Sequence, residues 1–204
     1  MSIVKVAPRG FDLTDTYAFT GTVSGVNAGS MVKISSQTAS ASSSISFTGI
    51  DSTYRTYCFK FINIHPQTGN LEFDFQGTTD GTNYNTTMTT TTFSAFHNEA
   101  DSSATLSYAS GRDQAQGTSF QALSHDIKAD NDSSLSGELW LFNPSSTTYV
   151  KHWISDTNYM QNGDASQRAI CAGYFNTTSA ITGIRFQMES GNIDAGTIAL
   201  YGIA

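Results

Sequence analysis

From residue 44 onward the sequence is a succession of short segments in which apolar and polar residues alternate, and this pattern constrains the fold most strongly. The stretch Leu71-Glu72-Phe73-Asp74-Phe75-Gln76 shows it clearly, and similar segments return at residues 135–142, 169–175 and 198–203. A period of two places successive side chains on opposite faces of a β-strand. Helical periodicity nowhere extends beyond two turns, so strands are predicted along the whole stretch.

About nine or ten such segments, separated by turn residues, predict an all-β fold. Many short strands at this spacing are typical of a jelly-roll-like β-sandwich made of two sheets. The segment at residues 135–142 is strongly apolar and is expected to be a central strand. The dipeptide Asp80-Gly81 predicts a tight hairpin between its flanking strands.

Residues 1–43 differ from the rest and are predicted to form an extended N-terminal arm, with the sandwich domain over residues 44–204. The chain contains 27 Ser and 27 Thr, and residues 1–43 combine many of them with few large apolar side chains. Such a segment buries too little apolar surface to fold alone. We therefore expect the arm to dock onto partner subunits.

The charge balance excludes several classes of protein. The formal net charge is −7 and the sequence pI is near 4.8, so no basic face for nucleic acid is expected. No uncharged apolar run is long enough for a membrane-spanning helix, and the first residues contain no apolar signal-peptide core. These features predict a soluble protein made inside a cell, without a nucleic-acid partner and without membrane insertion.

The two cysteines, Cys58 and Cys171, both lie in apolar runs and are predicted to be buried free thiols. A disulfide between them stays open, because only the fold can bring two strands together.

The run Asp130-Asn131-Asp132-Ser133 resembles the start of a calcium loop, but Leu141 stands where an EF-hand needs its bidentate Glu. A solvated turn is the preferred interpretation, and a looser calcium site is the alternative.

Catalytic motifs are absent from the sequence: it contains no GxSxG, no glycine-rich phosphate loop with Lys and no HExxH. Glu72 and Asp74 are expected on the solvated face of one strand, and Glu138 flanks Trp140 on one strand face, where a carboxylate and an aromatic ring could bind a sugar. The four histidines are scattered over predicted turns, loops and one strand: His65, His97, His125 and His152. We predict no catalytic, cofactor-binding or metal-binding residue, no cofactor, and no enzymatic activity.

Three stretches carry a resemblance to a known class of proteins. The run Ile62-Asn63-Ile64-His65-Pro66, residues 138–148 and residues 188–203 resemble virion structural proteins of tailed bacteriophages, those of marine and cyanobacterial phages in particular. Residues 9–21 are similar to the openings of such proteins. The resemblance implies a β-sandwich exposed on a phage particle, either head-associated or in a tail fibre.

We therefore expect a non-enzymatic virion protein, foremost a head decoration or cement protein whose N-terminal arm binds the major capsid protein or other virion subunits. A homo-oligomer, with a trimer as the first guess, would cover the sheet edges. Assembly in the bacterial cytoplasm accords with unpaired thiols. The alternative is a tail-fibre or receptor-binding module in which aromatic residues on loops, such as Trp153 and Tyr159, stack on host surface glycans. A glycan-cleaving enzyme ranks below both.

Overall fold

The computed structural model describes residues 30–203 and shows two antiparallel β-sheets that face each other. We call the eight-stranded sheet the large sheet and the four-stranded sheet the small sheet. The predicted all-β, two-sheet sandwich is confirmed. The strands are β1 Met31–Thr38, β2 Ile45–Thr48, β3 Thr56–Pro66, β4 Phe73–Thr78, β5 Met88–Asn98, β6 Ala104–Tyr108, β7 Gln121–Ala122, β8 Leu135–Phe142, β9 Lys151–Gln161, β10 Ala165–Phe175, β11 Gly183–Met188 and β12 Ile193–Ile203.

The strand order is that of a jelly roll with two inserted strand pairs. The large sheet has the order β1-β12-β3-β8-β9-β10-β5-β6 and the small sheet the order β2-β11-β4-β7. The pairs β1 with β12, β2 with β11, β3 with β8 and β4 with β7 are nested inside one another along the chain, as in a jelly roll. The pairs β5–β6 and β9–β10 widen the large sheet beyond β8.

Part of the predicted arm belongs to the sandwich. Strand β1 pairs antiparallel with β12, from Met31 opposite Ile203 to Thr38 opposite Thr197. The predicted boundary between residues 43 and 44 therefore falls between β1 and β2, inside the nested set of strands. Residues 1–29 lie outside the described residues, and the docking arm stays a prediction for them.

The core lies between the two sheets and contains a cluster of aromatic side chains. The ring of Phe186 from β11 lies 5.2 Å from the rings of both Phe59 and Phe61 on β3, in edge-to-face geometry. Phe73 and Phe75 from β4 are fully buried beside them. Each such side chain contributes about 2–3 kcal/mol by its removal from water, so this cluster holds the sheets together.

Strand β9 shows how a chain rich in hydroxyl side chains builds a core. Its residues alternate between buried and exposed, and the buried row includes Ser155 and Thr157. Ser155 donates to the carbonyl oxygen of Glu138 at 2.9 Å, and Thr157 donates to that of Leu123 at 2.6 Å. Because each buried hydroxyl has a backbone partner, burial carries little penalty.

The prediction of a hairpin at Asp80-Gly81 is wrong. A tight turn forms there, because the carboxylate of Asp80 accepts hydrogen bonds from the backbone N–H groups of Thr82 and Asn83, both at 2.8 Å, and Gly81 adopts a φ of +77°. The flanking strands, however, belong to different sheets: β4 lies in the small sheet and β5 in the large sheet. The turn therefore begins a crossover between sheets.

Candidate functional site

The side of the large sheet that faces away from the small sheet, here the outer face, carries exposed apolar side chains. Cross-strand pairing places Phe93 of β5 directly opposite Tyr108 of β6, and Ala95 opposite Leu106. We call Phe93, Leu106 and Tyr108 the apolar corner; Leu106 is 73% exposed and Tyr108 is 54% exposed. Ile154 of β9 is a further exposed apolar residue on this face.

The sequence did contain a signal for the apolar corner. Leu106-Ser107-Tyr108 is an alternating apolar segment within a long polar connection, a pattern that predicts a short strand. Short strands are common at sheet edges. The pairing partner, β5, could not be read from the sequence.

A row of charged side chains crosses the middle of the outer face. Lys60 pairs with Glu138, and Trp140 donates its indole N–H to Oε1 of Glu138 at 2.7 Å. The predicted placement of Glu138 and Trp140 on one face is thus confirmed. Burial alone raises the pKa of Glu138, but the hydrogen bonds from Lys60 and Trp140 outweigh it, so the pKa is lowered. A carboxylate held in this way is poorly suited to act as a general acid at neutral pH.

A shallow depression lies on the outer face across β5, β9 and β10. His152 and Tyr174 form one wall, with ring centroids 5.8 Å apart and planes tilted by 56°. Ile154, Ala172 and Thr91 complete a lining that encloses about 350 Å³. Such a surface offers apolar contacts together with ring N–H and O–H groups.

Two residues predicted to face glycans lie in the core instead. Trp153 is 0% exposed and Tyr159 is 2% exposed, and both lie on the inward row of β9 rather than on loops. The Trp153 ring packs edge-on against Phe75, with centroids 4.7 Å apart, and the Tyr159 hydroxyl accepts a hydrogen bond from the His125 backbone N–H at 2.8 Å. The prediction that these side chains contact a surface ligand is therefore wrong.

The prediction that Glu72 and Asp74 lie on a solvated strand face is wrong for Asp74. The segment after β6 covers this part of the small sheet: Arg112 forms an ion pair with Glu72, and Gln76 donates to the Ser119 carbonyl at 2.9 Å. Asp74, which lies between Glu72 and Gln76 along the chain, is only 6% exposed.

The pKa of the Asp74 carboxyl group is strongly raised. Burial, reinforced by the charge of Glu189, raises its pKa from 3.8 to about 7. Its Oδ1 atom has no hydrogen-bond partner among residues 30–203. Asp74 therefore penalises the folded state whenever it is ionised.

The four histidines lie at separate places. His65 contacts the Asp130 carbonyl at 3.1 Å, and His97 contacts the carboxylate of Asp101 at 3.0 Å, both on the surface. His125 is buried, and burial, with a contribution from Arg112, lowers its pKa to about 4. His152 belongs to the depression described above.

Cys58 and Cys171 are buried and free, as predicted. They lie on β3 and β10, which are three strands apart in the large sheet. Three strand spacings amount to about 14 Å, well beyond disulfide reach. Burial raises the pKa of Cys58 to about 11 and that of Cys171 to about 12, so both are protonated thiols at neutral pH.

The candidate calcium loop is a turn in which the Ser133 backbone N–H donates to the Asp130 carbonyl at 2.8 Å, while Lys128 pairs with the Asp130 carboxylate at 2.8 Å. Between residues 30 and 203, no three His, Cys, Asp or Glu side chains are grouped so that they could hold a metal ion. That part of the chain also has no helix with the length and apolarity of a membrane span.

Comparison with known proteins gives no match: no family model, no curated protein and no solved structure is similar to this chain.

Proposed function

We propose that this protein is a non-enzymatic structural subunit of a tailed bacteriophage virion, foremost a head decoration or cement protein. The observation that carries the proposal is the set of exposed apolar residues on the outer face, namely the apolar corner and Ile154. The three residues of the apolar corner lie next to one another across β5 and β6, and contiguous apolar surface marks contacts with other proteins. A subunit that holds neighbours together needs such a surface and needs no catalytic group.

The fold and the resemblance of the sequence support the same proposal. Jelly rolls serve as coat domains of viruses and as lectin domains, although a fold alone does not define a function. In this proposal residues 1–29 bind the major capsid protein or other virion subunits, the sandwich lies on the particle surface, and assembly takes place in the host cytoplasm.

Particle binding tests the proposal directly. Phage heads assembled without this protein are incubated with the purified full chain or with a chain that starts at residue 30 and so retains β1. Copies bound per head are counted by quantitative gel and by electron microscopy, and circular dichroism confirms that the shortened chain is folded. We expect the full chain to saturate the heads and the shortened chain to lose most binding. Equal occupancy by the two chains, or no binding by the full chain, contradicts the proposal.

A surface variant tests the contribution of the outer face. Ile154→Ser removes an exposed apolar contact from this face and is expected to lower head occupancy several-fold. Tyr149→Ser is the control, because Tyr149 is also a large exposed side chain, 70% exposed, but precedes β9 in a loop. Unchanged head occupancy in Ile154→Ser, or an equal loss in Tyr149→Ser, argues against the outer face as the contact surface.

A second candidate function is recognition of host surface glycans by a tail-fibre or receptor-binding module. The depression beside His152 and Tyr174 favours it, because an exposed ring can stack on the C–H face of a sugar. Binding of the full chain to a glycan array, abolished by Tyr174→Ala, supports this function. The absence of binding by an oligomeric preparation excludes it.

A further inference from the structure

Strand β6 (Ala104–Tyr108) forms one edge of the large sheet. Within residues 30–203 it pairs with β5 alone, and all five of its side chains are exposed. Natural sheet edges avoid pairing with other chains by means of charged residues, proline, bulges or covering loops. β6 contains no charge and no proline, and its pairing with β5 shows no register shift.

The hydrogen-bond pattern shows which backbone groups β6 presents. On either side of β6, the Ala109 N–H donates to the Thr92 carbonyl at 2.9 Å and the Asn98 N–H donates to the Ser103 carbonyl at 3.1 Å. In an antiparallel ladder the bonded positions recur at every second residue, so residues 103, 105, 107 and 109 face β5. The N–H and C=O groups of Ala104, Leu106 and Tyr108 therefore point away from the sheet.

We propose that β6 pairs antiparallel with β6 of a second copy of this chain, about a twofold axis at Leu106. In this register Leu106 lies opposite its own counterpart and Ala104 lies opposite Tyr108, so all three outward-facing residues make hydrogen-bonded pairs. The two large sheets become one continuous sheet. This inference concerns self-association and holds whether or not the protein decorates a phage head.

The side chains and charges favour a second copy as the occupant. Leu106 and Tyr108 lie on the outer face beside Phe93, so pairing joins the two apolar corners across the axis. The acidic residues Glu99 and Asp101 precede β6 in its turn with β5. Antiparallel pairing places the two acidic turns at opposite ends of the contact, where they do not repel each other.

Residues 1–29 are a less suitable occupant. They continue from β1, which lies at the opposite edge of the large sheet. Seven strand spacings, about 33 Å, separate the two edges. A second copy reaches the β6 edge without crossing the sheet.

The size of the contact sets its strength. A five-residue strand with its neighbouring side chains buries less than the roughly 1,200–2,000 Å² of a stable interface. The association is therefore concentration-dependent in solution, and copies held side by side on a common surface pair far more completely.

Disulfide trapping in the full chain tests the register. Across a hydrogen-bonded antiparallel pair the Cα atoms lie about 5.5 Å apart, within disulfide reach, so Leu106→Cys is expected to form a dimer under mild oxidation. In the same register the two copies of residue 108 lie about 14 Å apart, so Tyr108→Cys is the matched control. The native cysteines are buried and do not interfere. We expect dimer formation at least tenfold faster for Leu106→Cys; equal rates, or a faster control, overturn the proposal.

A solution measurement keeps the proposal falsifiable without an added thiol. Leu106→Lys places two like charges opposite each other and is expected to abolish the concentration-dependent rise in mass seen by sedimentation equilibrium, whereas Tyr149→Lys retains it. A wild-type chain that stays monomeric at millimolar concentration overturns the proposal. Hydrogen exchange gives a second such outcome. If the full chain is a monomer whose Leu106 amide is protected, and the protection is lost in a chain that starts at residue 30, residues 1–29 cover the edge in the full chain and the proposal is overturned.

Discussion

Replacement of Asp74 by Asn is expected to stabilise the folded protein above neutral pH. Asp74 is only 6% exposed, and its Oδ1 has no hydrogen-bond partner among the described residues. Burial and the nearby charge of Glu189 raise its pKa from 3.8 to about 7, so ionisation costs more in the folded chain than in the unfolded chain. Asn keeps the shape of the side chain and cannot ionise.

The size and sign of the effect follow from this pKa. A shift from 3.8 to about 7 corresponds to about 4 kcal/mol at 1.36 kcal/mol per pKa unit. Below the unfolded pKa both states are protonated and the penalty is absent. As the pH rises toward 7 the unfolded chain releases the proton and the folded chain retains it, so the contribution of Asp74 to the free energy of unfolding falls and then levels off.

Urea unfolding of wild type and Asp74→Asn between pH 4.5 and 8.5 measures this difference. We expect the variant to exceed wild type by about 2–4 kcal/mol at pH 8 and by much less at pH 4.5. Asp132→Asn is the control, because Asp132 is an exposed residue of a surface turn. A constant difference across the pH range, or a variant less stable than wild type at pH 8, refutes the reasoning.

Three further predictions follow from the same structure. Asp80→Asn is expected to destabilise the fold at pH 7, because hydrogen bonds from Asn83, Thr82 and Thr78 lower the pKa of Asp80; the loss should vanish in acid and is read from urea midpoints. His125 is buried with a pKa lowered to about 4, so its contribution to stability should fall as the pH drops from 6.5 toward 4, opposite in sign to that of Asp74; in thermal melts His125→Gln should therefore gain stability relative to wild type over this range. Cys58 and Cys171 should not react with a thiol reagent at pH 8 until urea unfolds the chain, because burial raises their pKa values.

Alternation predicted the strands well, because it reports directly on which faces are buried. Strand β8 was expected to be central from its apolar content, and it lies between β3 and β9. Which strands pair with each other was harder to predict from the sequence. Asp80-Gly81 formed the turn that its sequence favours, but the flanking strands pair with β11 and β10 rather than with each other. Turn chemistry is local, whereas sheet membership depends on contacts across the whole chain.

The prediction of which residues are buried failed where a segment distant in sequence packs against the strand. Asp74 alternates with buried phenylalanines and was expected to be solvated, yet it is buried, and residues after β6 contact its neighbours Glu72 and Gln76. Trp153 and Tyr159 lie in the same alternating phase of β9, and that phase faces the core. Their size and apolarity are the signal that could have placed them inward, because the opposite phase contains His152 and Asn158.

The nesting of the first strand with the last has a kinetic consequence. Thr38 and Thr197 share a hydrogen bond although they are 159 positions apart. Strand β2 likewise pairs with β11, which is much later in the sequence. Contacts of such long sequence separation slow folding, and a chain emerging from the ribosome cannot close this sandwich until β12 has been synthesised. The β5–β6 and β9–β10 hairpins need only their own short turns. We therefore expect these hairpins to form within microseconds and the closed sandwich to follow in milliseconds to seconds.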